Sequence, residues 1–182
     1  MRAPIRRSST RHTDSEATRQ ARTRRTCLVS VVAVTLVLAI AGTALAQAGS
    51  SNLGTWTLNL AKSTFAPGTA PRSSTFTNVV AGEGIKSTTD SVRADGTAVH
   101  SEYTVVYDGK DNPLTGNSPN GDTVAGTRVD ANTVTFIYKK NGKVTVTSTN
   151  VASPDRKTYT ITSKGTNTLG QTINSVAVYD KQ

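Results

Sequence analysis

The chain is poor in the side chains that most often carry chemistry. Its 182 residues include one cysteine, one tryptophan and two histidines. The cysteine, Cys27, sits in an apolar run near the N-terminus. From residue 47 onward no intramolecular disulfide can form, so that stretch must be held by packing. His100 is the one histidine beyond residue 46, which excludes ordinary zinc sites and leaves any imidazole-based relay to this residue. Glu102 shares its strand face, but so do several Ser and Thr residues, as a solvated face would show. No Gly-x-Ser-x-Gly elbow occurs. Asp108, Asp111, Asn112, Asn117, Asn120 and Asp122 miss the EF-hand spacing, because Lys110 and Pro113 intrude; turn chemistry accounts for them without an ion. The acids sit mostly at turns rather than in pairs that could share a cleft. The sequence therefore offers no catalytic residues, no metal site and no cofactor, and an enzyme is not expected.

The charge excess is confined to one end. The chain as a whole carries +9. Residues 1–46 hold eight arginines against Asp14 and Glu16, a balance of +6, which leaves +3 for residues 47–182. A domain at +3 with interspersed signs has no electrostatic footprint for a phosphate backbone, so a nucleic-acid partner is not expected. After the basic start comes the uncharged run Cys27 to Ala46, closing on Ala44-Leu45-Ala46. That order of positive, apolar and small residues is a helical signal peptide, with cleavage expected before Gln47. Thr23-Arg24-Arg25-Thr26-Cys27-Leu28 partly resembles a twin-arginine signal, and the general secretory route stays open beside it. The expectation is a bacterial periplasmic or secreted protein with no membrane anchor after cleavage. Its two segments are 1–46, the leader, and 47–182, one domain of ordinary size.

Residues 47–182 are rich in Thr, Val, Ser, Asn and Gly. β-Branched side chains suit a pleated surface and lose rotamer freedom in helices. Period-two alternation recurs, as in Val134-Thr135-Phe136-Ile137-Tyr138 and Lys157-Thr158-Tyr159-Thr160-Ile161-Thr162. Asp95-Gly96 and Asn141-Gly142 read as two-residue hairpin turns. Strands are predicted near 53–60, 72–80, 84–93, 98–107, 122–130, 133–140, 143–152, 157–164 and 172–180. Such a chain is all-β: a single antiparallel up-and-down meander that closes into a small barrel, with a sandwich as the rival. Residues 61–71 read as an irregular crossing, and 108–121 as the longest loop and the mobile or binding element.

A two-residue turn at Asp95-Gly96 pairs Val92 with Val99 and Ser91 with His100. It puts Val92, Val99, Tyr103, Val105 and Tyr107 on a buried face, and Ser87, Thr89, Ser91, His100, Glu102 and Thr104 on a wet one. The same logic at Asn141-Gly142 puts Ile137, Val144 and Val146 on one face. Val134, Phe136 and Tyr138 then share the other with Thr145, Thr147 and Thr149. Which of those two faces points inward stays open. Arg128 reads as surface.

Asn52-Leu53-Gly54-Thr55-Trp56-Thr57-Leu58-Asn59 resembles the Gly-x-Trp opening of the calycin superfamily, the lipocalins and fatty-acid-binding proteins. Val176-Ala177-Val178-Tyr179-Asp180-Lys181 resembles the last strand of fatty-acid-binding proteins. The string GTWTLNLAKSTFAPG…YDGKDNPLTGN…RVDANTV…KKNGKV…VAVYDKQ is similar to a group of uncharacterised secreted bacterial lipocalin-like proteins. The resemblance implies a calycin-like barrel whose Trp closes one end around a small apolar ligand. It departs from fatty-acid-binding proteins twice. Ala177 stands where those carry an Arg for a carboxylate, and only residues 61–71 are available where they carry a two-helix lid. The aromatics taken as candidate ligand contacts are Trp56, Tyr103, Tyr107, Phe136, Tyr138, Tyr159 and Tyr179. Two readings follow: an exported, non-catalytic carrier of a small apolar molecule, or a fully packed structural or interaction domain.

Overall fold

A computed structural model describes residues 51–67 and 69–182; the leader expected over 1–46 lies outside them. The strands are β1 (Gly54–Leu58), β2 (Ser73–Ala81), β3 (Gly84–Val92), β4 (Ala98–Val105), β5 (Asp108–Pro113), β6 (Thr115–Gly116), β7 (Thr123–Arg128), β8 (Thr133–Lys140), β9 (Lys143–Ala152), β10 (Thr158–Thr166) and β11 (Thr172–Lys181). All pairings are antiparallel, in the order β5-β7-β8-β9-β10-β11-β1-β2-β3-β4-β6. The first and last long strands meet, Leu58 opposite Tyr179, so the meander curls round on itself as a barrel must to remove its edges. The 61–71 crossing contains only a 3-10 turn, Leu60–Lys62, capped by the Asn59 side chain, and a bridge from Thr64 to Val176.

The expected nine strands become eleven because 108–121 is not a free loop. β5 pairs with β7, whereas β6, one residue beyond Leu114, pairs with β4. One bent segment thus occupies the seam between β4 and β7 and hands the chain from one wall to the other. Asp, Asn, Gly and Pro in 108–121 suggested only a turn, yet an edge strand tolerates proline where its N–H would face away from the ladder. Pro113 sits at such a place, at the end of β5.

Two hairpins differ from expectation by one residue, and the consequence is large because side chains alternate with period two. Arg93 N–H donates to the Thr97 carbonyl at 2.9 Å and Gly96 N–H to that of Arg93 at 2.9 Å. The loop is therefore Ala94-Asp95-Gly96, three residues, with Gly96 at φ +90° taking the left-handed position. Ser91 then opposes Val99, and Val92 opposes Ala98. The inward face of β4 is as expected, but β3 is reversed: Ile85, Ser87, Thr89 and Ser91 face in, and Val92 faces out. At Asn141-Gly142 the two-residue turn is present, with φ of +50° and +75°. A bulge between Tyr138 and Lys139 then shifts the ladder, so that Val146 pairs with Tyr138 and joins the inward face of Phe136 and Val134. Ile137, Val144, Thr147 and Thr149 face out. The extra residue, Thr145, donates its hydroxyl to the Tyr138 carbonyl at 3.0 Å and also binds the Asn120 carbonyl. Bulges of this kind raise local twist and help a sheet to curve.

Two clusters of side chains fill the interior. Trp56, Phe76, Ala152, Tyr159, Ala177 and Tyr179 form one; Val105, Leu114, Val124, Val134 and Phe136 form the other.

Candidate functional site: a cavity in the barrel

Between the clusters lies a cavity of about 350 Å³. One end is closed. Ser51 and Asn52 cross beneath the barrel, where the Ser51 hydroxyl donates to the Ala131 carbonyl at 3.0 Å. The Asn52 carbonyl accepts from Trp56 Nε1 at 3.1 Å and from Asn78 Nδ2 at 2.9 Å, and its side-chain amide donates to the Tyr107 hydroxyl at 2.7 Å. The other end is rimmed by Thr69 and Pro71, the Arg93–Asp95 hairpin, Ser118–Asn120, Asn167 and Gln171. Turns cluster there because β3 ends, β4 and β7 begin, and β10 turns into β11 on that side.

Six of the seven aromatics singled out from the sequence line this cavity: Tyr103, Tyr107, Phe136, Tyr138, Tyr159 and Tyr179. Trp56 does not. It is wholly buried one layer below, its ring 5.3 Å from that of Tyr159 and 6.1 Å from that of Phe76. Lys181 Nζ covers it from outside at 5.1 Å. Phe76 does line the cavity and continues the stack, 5.4 Å from Tyr159 and edge-on to Tyr179 at 4.9 Å. On the opposite wall Phe136 contacts Tyr103, Tyr107 and Tyr138 at 5.8, 6.0 and 6.3 Å. These are the separations at which aromatic pairs attract.

Burial raises the pKa of every tyrosine in the chain, and desolvation is the largest cause in each case. The Tyr103 hydroxyl is pushed up to about 12, against a smaller opposing effect of hydrogen bonding with Ser87. Tyr107, Tyr138, Tyr159 and Tyr179 are raised as well; Asn52 opposes the shift at Tyr107 and Ser74 at Tyr179. The phenols are therefore neutral over the physiological range, suited to orient a ligand by hydrogen bonding rather than by charge.

Sequence reasoning missed the serines. Ser74 opposes Ser91 across β2–β3, Ser163 opposes both Ser148 and Ser175, and Ser101 opposes Thr89, all on the inner face. Read singly, serine suggests water. The usable signal was alternation by size: Val146, Ser148, Asn150 and Ala152 point inward on β9, whereas Thr145, Thr147, Thr149 and Val151 do not. Ser148 and Ala152 inside, against Thr147, Thr149 and Val151 on the other face, leave room at the centre of a narrow barrel.

The groups weighed for chemistry lie elsewhere. His100 is on the outer surface, its Nδ1 2.7 Å from Asp90 and its Nε2 3.9 Å from Glu102. Asp108, Asp111 and Asp122 pair with Lys110, Lys139 and Lys140. Arg128 is exposed, with its guanidinium 4.9 Å from the Tyr107 ring. No group of His, Cys, Asp and Glu able to hold a metal ion is found among the described residues.

Fold and site together define a class: an antiparallel β-barrel, closed at one end, around a cavity of small-molecule size. No family model matches the chain, and no curated protein matches it. Among solved structures, zebrafish ileal bile acid-binding protein complexed with cholic acid is similar at 14% identity and a TM-score of 0.44, over 73% of this chain and the whole of that one. At that distance the likeness carries no argument about ligand or activity.

Proposed function

We propose that this is an exported, non-catalytic binding protein that holds a small, largely apolar molecule inside the barrel. The cavity carries the reading: its volume of about 350 Å³ falls in the range of small-molecule sites, roughly 300–1,000 Å³, and rings line two of its walls. The Gly-x-Trp opening and its Trp at the closed end support a calycin-type assignment. The leader supports export to a bacterial periplasm or beyond. Absence of chemistry is supported by the placement of His100 and its carboxylate neighbours on the outer surface, away from the cavity. A fully packed interaction domain, the rival reading, is disfavoured by the same internal volume.

The test is direct. The full-length chain is expressed with its own leader, purified from the periplasmic fraction and examined by native mass spectrometry, then titrated with the neutral dye nile red. A small bound mass, or saturable dye fluorescence at one site per chain, is expected. A bare mass together with no saturable dye signal would overturn the proposal.

A further inference from the structure

Among the described residues that line the cavity, only Arg93 and Asp95 are charged. Both stand at the rim, their guanidinium and carboxylate 2.7 Å apart, so they neutralise each other. Deeper in, Ala177 presents a methyl group where the fatty-acid-binding resemblance would call for an arginine. An ionised group buried there would find no counter-charge, a cost of several kcal/mol or more.

Polar side chains are nonetheless present at depth, and some lack partners. Asn78 Nδ2 donates to the Asn52 carbonyl at 2.9 Å. A carbonyl only accepts, so this bond fixes the amide orientation and leaves Asn78 Oδ1 as the free end. Asn78 Oδ1, Asn150 Oδ1 and Ser148 Oγ are buried without a hydrogen-bond partner among the described residues. All three residues line the cavity and are 5–6% exposed. The two amides belong to one floor. Asn52 holds Asn78 through its carbonyl, and hydrogen bonding from the amides of Asn52 and Asn150 opposes the burial shift at the Tyr159 hydroxyl, as N–H donors facing it would. Amide oxygens can only accept, and each buried one left unpaired costs about 1–3 kcal/mol. Whatever sits on this floor is favoured if it donates.

We propose that the cavity takes an uncharged molecule with a hydroxyl or N–H at its leading end, which donates to the amide oxygen of Asn78 or Asn150 at the floor while its apolar body lies between the rings. The proposal rests on the binding reading and adds orientation and ligand class. The molecule enters polar end first, and the recognising chemistry is donation to neutral acceptors, with no carboxylate–arginine pair. Ser148, one inward position above Asn150 on β9, is placed to extend the contact.

The test uses the full-length chain and three probes that compete with nile red at neutral pH: 1-decanol, its isomer methyl nonyl ether, which accepts but cannot donate, and decanoate. Decanol is expected to bind about five-fold tighter than the ether, the scale of one neutral hydrogen bond, with decanoate the weakest. The ratio of decanol to ether affinity should fall toward one when Asn78→Leu and Asn150→Leu are combined, and part of the way in Ser148→Ala; the ratio is the readout because all three side chains line the cavity. Ser148→Ala removes only an unpaired hydroxyl, so its thermal midpoint should hold and the comparison survives if the double variant folds poorly. Equal binding of decanol and ether in the unsubstituted protein, as expected if ordered water alone serves the floor, would overturn the inference. So would a preference for decanoate, or a decanol advantage that is unchanged in both variants. Failure of every probe, nile red included, would instead remove the binding reading itself.

Discussion

The two apolar clusters of the barrel are held by opposite means. Around Trp56, Phe76, Tyr159 and Tyr179 the strands β9, β10, β11, β1 and β2 follow one another in an unbroken ladder. There the backbone register places the rings, Tyr159 opposite Tyr179 and Trp56 opposite Phe76. Around Val105, Leu114, Val124 and Phe136 the cluster straddles the seam, and β4 and β7 share no ladder. In that region the side chains hold the backbone. Val105 from β4 and Val124 from β7, both wholly buried, meet across a gap that Leu114 helps to fill. A barrel can thus be shut by an unbroken ladder on one side and, on the other, by one bent segment with two short ladders and the packing around it, and that side should be the first to open.

Raising pH attacks both clusters at once. All five tyrosines are shared between them, and all have raised pKa values through burial. The unfolded chain ionises its tyrosines near pH 10, whereas in the folded chain burial holds Tyr103 protonated to about 12 and raises the other four as well. The unfolded state therefore binds fewer protons in that window, and stability falls as pH rises through it. Stability from this source is intact below about pH 10. Tyrosinate absorbance should stay low until the fold is lost and then rise in one cooperative step coincident with loss of β-sheet circular dichroism. Independent titration of each tyrosine in a folded protein would contradict the burial described here.

Next in size comes a change confined to the laddered half. Trp56→Ala removes a ring that is fully buried between Phe76, Tyr159 and Lys181. It should cost about 3–5 kcal/mol in denaturant unfolding. Trp56→Phe should recover much of that loss, since the Asn52 carbonyl keeps Asn78 as a donor.

Much of the fold was legible from residues 52–180, because alternation and turn residues are local. The first strand ends where Asn59 caps a short turn, and β8 and β9 follow directly from Val134–Tyr138 and from Asn141-Gly142. What escaped was anything set by a single residue of register. Asp95-Gly96 has the dipeptide of a two-residue turn, yet the Asp95 carboxylate accepts from Thr97 N–H at 2.9 Å and from Arg93 at 2.7 Å, which draws Ala94 into the loop and turns β3 over. That slip exchanged Ser87, Thr89 and Ser91 from outside to inside and hid the polar character of the cavity. The aromatic lining was legible because a large ring has few other places to go. The acceptors on the floor were not, since Asn78 and Asn150 are distant in sequence and meet only through Asn52 and Tyr159.

The seam supplies the finest test, because it asks how much packing adds to the two short ladders there. Leu114 is the single residue between the end of β5 and the start of β6, and it is 8% exposed. Its N–H donates to the Asp122 carbonyl at 2.9 Å, a bond that any side chain at this position would keep. Leu114→Ala therefore removes side-chain volume without touching the backbone pairing of β5 with β7 or of β6 with β4. The global loss should be about 2–3 kcal/mol, at the low end for buried leucine because the bent segment can settle into the gap. Its distribution should be uneven. Amide exchange should quicken in β4, β6 and β7, at Ser101, Glu102 and Val124 among others, while the β10–β11 ladder changes only with global stability. Uniform acceleration through both halves would mean that the seam is no weaker than the ladders and that the barrel opens as one body.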